Sequence, residues 1–321
     1  MNKSYKIELK EQFSERMKTL LGKDFEKFME SLKEKPFNSI RVNELKISIG
    51  ELKKRLEDKG WKIRQPFSDF PEIIIIESQL EPGEIGRTLE HLLGYYYVQE
   101  ISSMLPVIAL NPRENEKVLD LCASPGSKTT QIASCMKNTG LIIANELSFG
   151  RMKILSSNME RCGVTNAIIT RKDGAILCDR LFEKGFEFDK ILLDAPCSGE
   201  GTLRNNPKTA MMWNAGGIRK MSFIQKRLIS SVVKVLKVGG EIVYSTCTFA
   251  PEEDEEVIDF VLKKFPGQLK VERVSLPLKT HEGILKWENK DYSDEIKYSC
   301  RVYPFDNNTE GFFITKMRKV K

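Results

Sequence analysis

The sequence predicts an α/β fold in which a mostly parallel sheet is covered by helices on both faces, preceded by a smaller α+β unit. Three observations carry this. From residue 117 onward, short apolar runs alternate with stretches of helical period. Residues 36–80 hold a separate, shorter mixture of the two patterns. The composition, 40% hydrophobic and 30% charged over 321 residues, suits one large core with a companion unit.

The elements follow in order. Residues 4–34 place Phe13, Met17, Leu20, Leu21, Phe25, Phe28, Met29 and Leu32 at helical spacing, and Pro36 ends the pattern. FNSIRVNELKI is strand-like, with Ile40, Val42 and Leu45 facing inward. IGELKKRLEDKG is a helix closed by Gly60, and WKIRQ and EIIIIE are further strands. Residues 86–110 bridge into the main unit. There KVLDLC, LIIANE, NAIITRKD, FDKILLDAPC, GGEIVYSTC and GFFITKMR are strands. SKTTQIASCMKN, FGRMKILSSNMERC and the stretches near 217–237 and 252–264 are helices. The expected divisions are 1–35, 36–110 and 111–321.

Composition excludes several classes. No apolar run approaches the ~20 residues that span a bilayer. The charged start, MNKSYKIELKEQF, lacks a signal peptide's apolar centre, so a cytoplasmic protein is expected. Seven cysteines without CxxC spacing disfavour a disulfide framework or zinc site, and two histidines make a His-based metal site or triad improbable. The net charge of +6 sits in residues 1–65, with 17 Lys and Arg against 11 Asp and Glu. That imbalance suits a polyanion, or solvated helix faces.

In an open α/β sheet, ligands bind beyond the carboxyl ends of the strands. The first exit is the small-residue turn Cys122-Ala123-Ser124-Pro125-Gly126-Ser127-Lys128, which opens a helix and lets backbone amides approach an anionic ligand group. It lacks the glycine patterns of dinucleotide and P-loop sites. Glu146, about 20 residues on, has the spacing of an acid that bonds ribose hydroxyls, and Asp173 at the third exit is a candidate acceptor for an adenine amine. An adenosine ligand without a phosphate-binding loop points to S-adenosylmethionine. The fourth and fifth exits carry Asp194-Ala195-Pro196-Cys197 and Ser245-Thr246-Cys247. The acidic PEEDEE run at 251–256 belongs to a helix start, where the dipole favours acids, rather than to a metal site.

DLCASPGSKT, LLDAPCSGEGT and YSTCTFAPEEDEEVI together resemble the Sun/Fmu family of RNA cytosine-C5 methyltransferases, as do RVN, GYYYVQEISSMLP and RVYPFDNNTEGFFITK. The resemblance runs from about residue 36 to the end. Ser124 and Ser127 stand where the family's first motif usually has Ala and Gly. It implies a Rossmann-like methyltransferase fold with a seven-stranded sheet, a small RNA-recognition-like domain, and S-adenosylmethionine as cofactor.

Such chemistry needs a thiol. C5 of cytosine is a poor nucleophile until a thiolate adds to C6. Chemistry alone does not choose between Cys197 and Cys247, and the Pro-Cys of DNA enzymes would point to Cys197. The family resemblance implies Cys247 as nucleophile and Cys197 as the thiol that assists release. It also implies that Asp194 and Lys128 contact the cytosine, with Arg151 flanking the adenosine. Cys135, Cys162, Cys178 and Cys300 carry no motif and are expected to pack.

For RNA, Arg204 and Lys208 in the loop after Cys197 are candidate phosphate contacts, with Trp213 anchoring or stacking. In the small domain the candidates are Arg41, Lys46, Lys53, Lys54 and Arg55. GEGTLRNNPKTAMMW resembles the small-subunit ribosomal RNA branch, which makes ribosomal RNA the first expectation, and the short chain also fits transfer RNA enzymes, the second. Two other readings stay open: an RNA-binding assembly factor that kept the fold, and a methyltransferase for a non-RNA substrate. No feature fixes an oligomeric state, and a monomer is compatible with all of them.

Overall fold

A computed structural model describes residues 7–321 of the chain. The first expected helical stretch gives α1 (Glu11–Leu21) and α2 (Phe25–Ser31); its residues 4–6 lie outside the described residues. The small unit comprises β1 (Asn38–Val42), α3 (Ile49–Asp58), β2 (Ile63–Arg64), β3 (Ile73–Ile76), α4 (Leu89–Leu92) and β4 (Tyr96–Val98). Its four strands form an antiparallel sheet in the order β2-β3-β1-β4. Ser48 caps α3 by accepting from the Glu51 amide, and Gly60, at φ +82°, takes the left-handed turn beyond its end. Ile40 and Val42 point into the core as expected, whereas Leu45 lies beyond the strand.

The large unit runs α5 (Ile101–Leu110), β5 (Lys117–Asp120), α6 (Ser127–Cys135), β6 (Leu141–Asn145), α7 (Phe149–Cys162), β7 (Ala167–Thr170), α8 (Gly174–Glu183) and β8 (Phe188–Asp194). It continues through α9 (Lys208–Met212), α10 (Ala215–Val232), β9 (Leu236–Thr246), α11 (Glu255–Lys264), β10 (Leu269–Glu272) and β11 (His281–Glu282). A small hairpin, β12 (Lys286–Trp287) with β13 (Lys290–Asp291), precedes β14 (Cys300–Val302), α12 (Pro304–Asn307) and β15 (Phe312–Lys319). Strands β7-β6-β5-β8-β9 are parallel, and β15 and β14 continue the sheet antiparallel. These seven match the number the family resemblance implies; six are legible in the sequence and β14 is not, and β10 and β11 add short edges to give nine among the described residues.

Strand alternation divides the core. Ile191, Leu193, Ile242 and Tyr244 face α8, α10 and α11, while Leu192 and Val243 face α5, α6 and α7. Helix α8 was not anticipated; its Leu177 and Cys178 cover the sheet between β7 and β8. Helices α1 and α2 do not stand apart. Phe13, Met17, Phe25 and Phe28 pack with Leu203, Trp213, Phe249 and Tyr303 of the large unit.

Arg41 was expected on the RNA. It is instead 3% exposed, donating to Gln99 Oε1 (3.0 Å), the Ser127 carbonyl (3.2 Å) and Thr130 Oγ1 (2.8 Å). It bolts β1 to α6, because an interior position on β1 leaves its guanidinium no path to solvent. Lys46 is exposed but spends its ammonium on the carbonyls of Leu93 and Arg161. Among the described residues, no helix is long and apolar enough to cross a membrane.

Candidate active site

The five parallel strands end on one side, and their exits are cross-tied there. Asn145 at the end of β6 is 2% exposed and does most of the tying. Its amide donates to the carbonyls of Leu121 and Lys172, and its oxygen accepts from Thr170 Oγ1 and the Lys172 amide. One amide side chain thereby joins the first three exits. Its role was not visible in the sequence, because an Asn before an acid looks like any turn residue.

The turn after β5 crosses a cis Ser124–Pro125 bond and opens α6 through Gly126 at φ +106°. Ser124 Oγ donates to the Arg151 carbonyl at 2.9 Å, and Arg151 returns a bond to the Ser124 carbonyl at 2.8 Å. The serine that departs from the usual family motif therefore has a structural partner. Glu146 is 5% exposed, accepts from the Ser148 amide and lies 3.6 Å from Arg151 Nε. Asp173 caps α8 through the amides of Ala175 and Ile176 and pairs with Arg227 at 2.5 Å. Glu146, Asp173, Ser124 and Arg151 line one cavity of about 510 Å³, which also reaches Asp194, Cys197 and Cys247.

Lys128 is buried. Its ammonium donates to Asp194 Oδ2 at 2.7 Å and Ser103 Oγ at 3.0 Å, and lies 5.2 Å from the Phe312 ring centre. Ser245 Oγ donates to the other Asp194 oxygen at 2.7 Å. Asp120, deeper still, accepts from Thr129 Oγ1 through Oδ2, while its Oδ1 has no partner among the described residues. Burial pushes that carboxyl up to about 7. Asp120, Lys128 and Asp194 share a second cavity of about 210 Å³ with the turn residues Ala123, Pro125 and Ser127.

The two strand-exit thiols meet. Cys197 Sγ lies 3.2 Å from Cys247 Sγ, both free and partly exposed. The hydrogen bond with Cys247 and burial hold the Cys197 thiol well above the usual thiol range. Each cysteine is followed by a hydroxyl residue, and Ser198 Oγ and Thr248 Oγ1 bond at 2.8 Å. The Gly201 amide donates to the Cys247 carbonyl at 2.9 Å; a Cβ there would lie 2.3 Å from the Gly311 carbonyl, so only glycine fits. Glu253, fully buried, accepts from the Ser198 amide and from Gln225, which also donates to the Pro196 carbonyl. Of the other cysteines, Cys162, Cys178 and Cys300 are buried and Cys135 is exposed, whereas Cys122 lines the larger cavity.

The PEEDEE acids are tied one by one, beyond any helix dipole. Glu252 meets Arg16, Glu255 bonds buried Arg301, Asp254 accepts from Thr246 Oγ1, and Glu256 pairs with Lys226 and Lys290. Arg204, expected on phosphate, is 6% exposed and donates to the carbonyls of Glu34 and Thr309 and to Asn308. It closes the loop onto the body instead of facing solvent. Trp213 is buried; its indole donates to Glu200 Oε1 at 2.6 Å and packs edge-on against Phe13, so it anchors. Lys208 is exposed.

A parallel sheet closed by an antiparallel pair, with acids and a small-residue turn at its carboxyl edge, defines a Rossmann-like methyltransferase. Comparison with known proteins narrows the class. Residues 107–318 match the 16S rRNA methyltransferase RsmB/F family, and residues 9–101 match the N-terminal domain of 16S rRNA methyltransferase RsmF. The chain belongs to this family, in agreement with the Sun/Fmu resemblance. It is 42% identical over 318 residues to a tRNA (cytosine(49)-C(5))-methyltransferase of Pyrococcus abyssi, covering 98% of this chain and 99% of that one. It is 39% identical over 312 residues to the ribosomal RNA small subunit methyltransferase F of Vibrio parahaemolyticus, covering 96% of this chain but only 62% of the relative. Among solved structures, a methyltransferase homologue from Pyrococcus horikoshii superposes with a TM-score of 0.84 at 34% identity, over 98% of this chain and 96% of that one. NSun6 from Pyrococcus horikoshii, with SFG, superposes with a TM-score of 0.82 at 26% identity, over 97% and 98%.

Proposed function

We propose that the protein transfers a methyl group from S-adenosylmethionine to C5 of a cytosine in structured RNA, with Cys247 as nucleophile and Cys197 assisting release. The carrying observation is the 3.2 Å approach of two free thiols from separate strand exits, at the wall of a cavity that also holds Asp194, Glu146 and Asp173.

The residues present suit the cofactor. The larger cavity falls within the size range of small-molecule sites. Glu146 and Asp173 retain free lone pairs for ribose hydroxyls and an adenine amine. Asp120 Oδ1, buried and unpaired beside the turn, is the acceptor a cationic α-ammonium would satisfy. The cofactor brings the methyl group already activated on a sulfonium. SFG, an analogue of S-adenosylmethionine, in the NSun6 structure supports this choice.

The chain's own residues supply the rest. Cys197, whose thiol is held well above the usual range by its hydrogen bond with Cys247 and by burial, lies 3.2 Å from the Cys247 sulfur. The Cys247 thiolate adds to C6, and the ring's electron pair becomes available at C5 for the methyl group. Loss of the C5 proton to solvent water then returns the pair that expels the Cys247 thiolate, with the neighbouring Cys197 assisting release. Asp194, held by Lys128 and Ser245, contacts the cytosine's exocyclic amine or ring nitrogen, and Lys128 is the second contact.

The RNA is ribosomal or transfer RNA, the two classes named among the relatives. Labelled cofactor tests the mechanism: Cys247→Ala abolishes transfer, and Cys197→Ala leaves a protein–RNA adduct that survives a denaturing gel. Loss of transfer in Cys197→Ala without an adduct would overturn the division of labour. Bisulfite sequencing of RNA from a deletion strain identifies the modified cytosine.

A further inference from the structure

Arg41 and Arg204 are buried structural cations, so the surface that holds RNA beside the thiols must be found elsewhere. One segment differs in charge from the rest of the chain. Residues 201–240 carry eight Lys and Arg and no Asp or Glu, leaving 43 basic against 45 acidic residues elsewhere. This segment contains α9 and α10. Several of its cations are paired across to other elements, Lys226 with Glu256 and Arg227 with Asp173 among them. Lys208, Arg219 and Lys220 are exposed and have no hydrogen-bond or ion-pair partner among the described residues.

The same helices expose large apolar side chains. Met211, Met212 and Phe223 are 72%, 75% and 72% exposed. Phe223 borders a neighbouring cavity with Arg219, Lys226 and Glu252, and its helix also reaches the site. On α10, Met221, Ile224 and Arg227 line the cavity that contains Cys197 and Cys247. At about 100° per residue, Lys220 and Phe223 fall on the adjoining stripe of that helix. On α9, Thr209 sits against Gly199, two residues after Cys197.

We propose that this α9–α10 face holds the RNA around the target cytosine, with Lys208, Arg219 and Lys220 on phosphates and Met211, Met212 and Phe223 against the flanking bases. The assignment rests on the reading of the protein as an RNA methyltransferase and says where the RNA lies. Cations without an ion-pair partner attract a polyanion, and the segment itself adds no acid beside Lys208 and Lys220, while Arg219 faces Glu252, Glu256 and Glu288 across a separate cavity. A target base must leave its stack to reach the thiols. Apolar and aromatic side chains beside the mouth cover the base faces that this exposes.

The test uses unmodified transfer RNA and small-subunit ribosomal RNA transcripts, with binding measured over a range of salt and cofactor binding measured in parallel. The K208E/R219E/K220E variant should bind S-adenosylmethionine as the wild type does. It should lose roughly tenfold or more in RNA affinity, and the slope of log affinity against log salt should shrink by about 2. The M211S/M212S variant should lose affinity while keeping the wild-type slope. Unchanged affinity and slope in the charge-reversal variant, with cofactor binding intact, would overturn the assignment and leave the face to a protein partner. A wild-type protein that binds cofactor yet neither binds nor methylates either transcript would instead remove the functional reading beneath it.

Discussion

At the scale of single residues, buried carboxyls set the molecule's response to pH. Glu310 is 4% exposed, and its Oε2 has no partner among the described residues. Burial, and then the charge of Glu100, pushes it from an ordinary 4.5 up to about 8. A raised carboxyl takes up a proton on folding. Its contribution to stability is complete below about pH 4.5 and is lost as pH rises through about 8. Glu310→Gln mimics the protonated form, so its melting temperature should fall less between about pH 6 and 9 than the wild type's. Parallel melting curves against pH would show that the group titrates normally. Two other residues were plain from their types alone: Cys197 and Cys247 stood out because a thiol at a strand exit is where chemistry can use it. Burial was not plain. Arg41 and Arg204 have the same side chain as a phosphate contact, and only their neighbours make them internal struts.

At the scale of elements, the two thiol loops are built as a pair. Ser198 and Thr248 join them by one hydrogen bond, while Glu253 and Gln225 brace the Pro196–Ser198 segment from behind. This bond is expected to hold the sulfurs in register. Ser198→Ala and Thr248→Ala should each lower kcat with cofactor affinity unchanged. A double-mutant cycle on the methyl-transfer rate should return a coupling of about 0.5–1.5 kcal/mol. Strictly additive losses would show that the hydroxyls act separately. The short strands after α11 are not legible in the sequence for a related reason. Strands β10 and β11 are only four and two residues long, and packing against an already formed sheet stabilises them. Helix α8, ten residues with an apolar stripe, carries a legible pattern and was not anticipated all the same.

At the scale of the whole molecule, the small unit and the large one are joined through buried polar groups. Arg41 reaches α6 and Gln99, and Asn43 donates to the carbonyls of Gly94 and Cys162, each at 2.8 Å. Helices α1 and α2 pack against the loop that follows Cys197. Arg41→Ala should therefore destabilise the protein by about 1.5–3 kcal/mol, the range for hydrogen bonds to a charged group. Its salt dependence of RNA binding should stay at the wild-type slope. A shallower slope without loss of stability would return Arg41 to the RNA surface.

The sequence by itself determined the strand–helix alternation of a parallel sheet, the small-residue turn, the two acids beyond it and the pair of strand-exit thiols. These are legible because periodicity and local residue chemistry act over a few neighbouring positions. The tertiary structure decided which charges face solvent, that Asn145 ties three exits together, and that two sulfurs fifty residues apart lie 3.2 Å from each other. Burial and distance are properties of residues far apart in the chain, and they take values only once the sheet has brought those residues side by side.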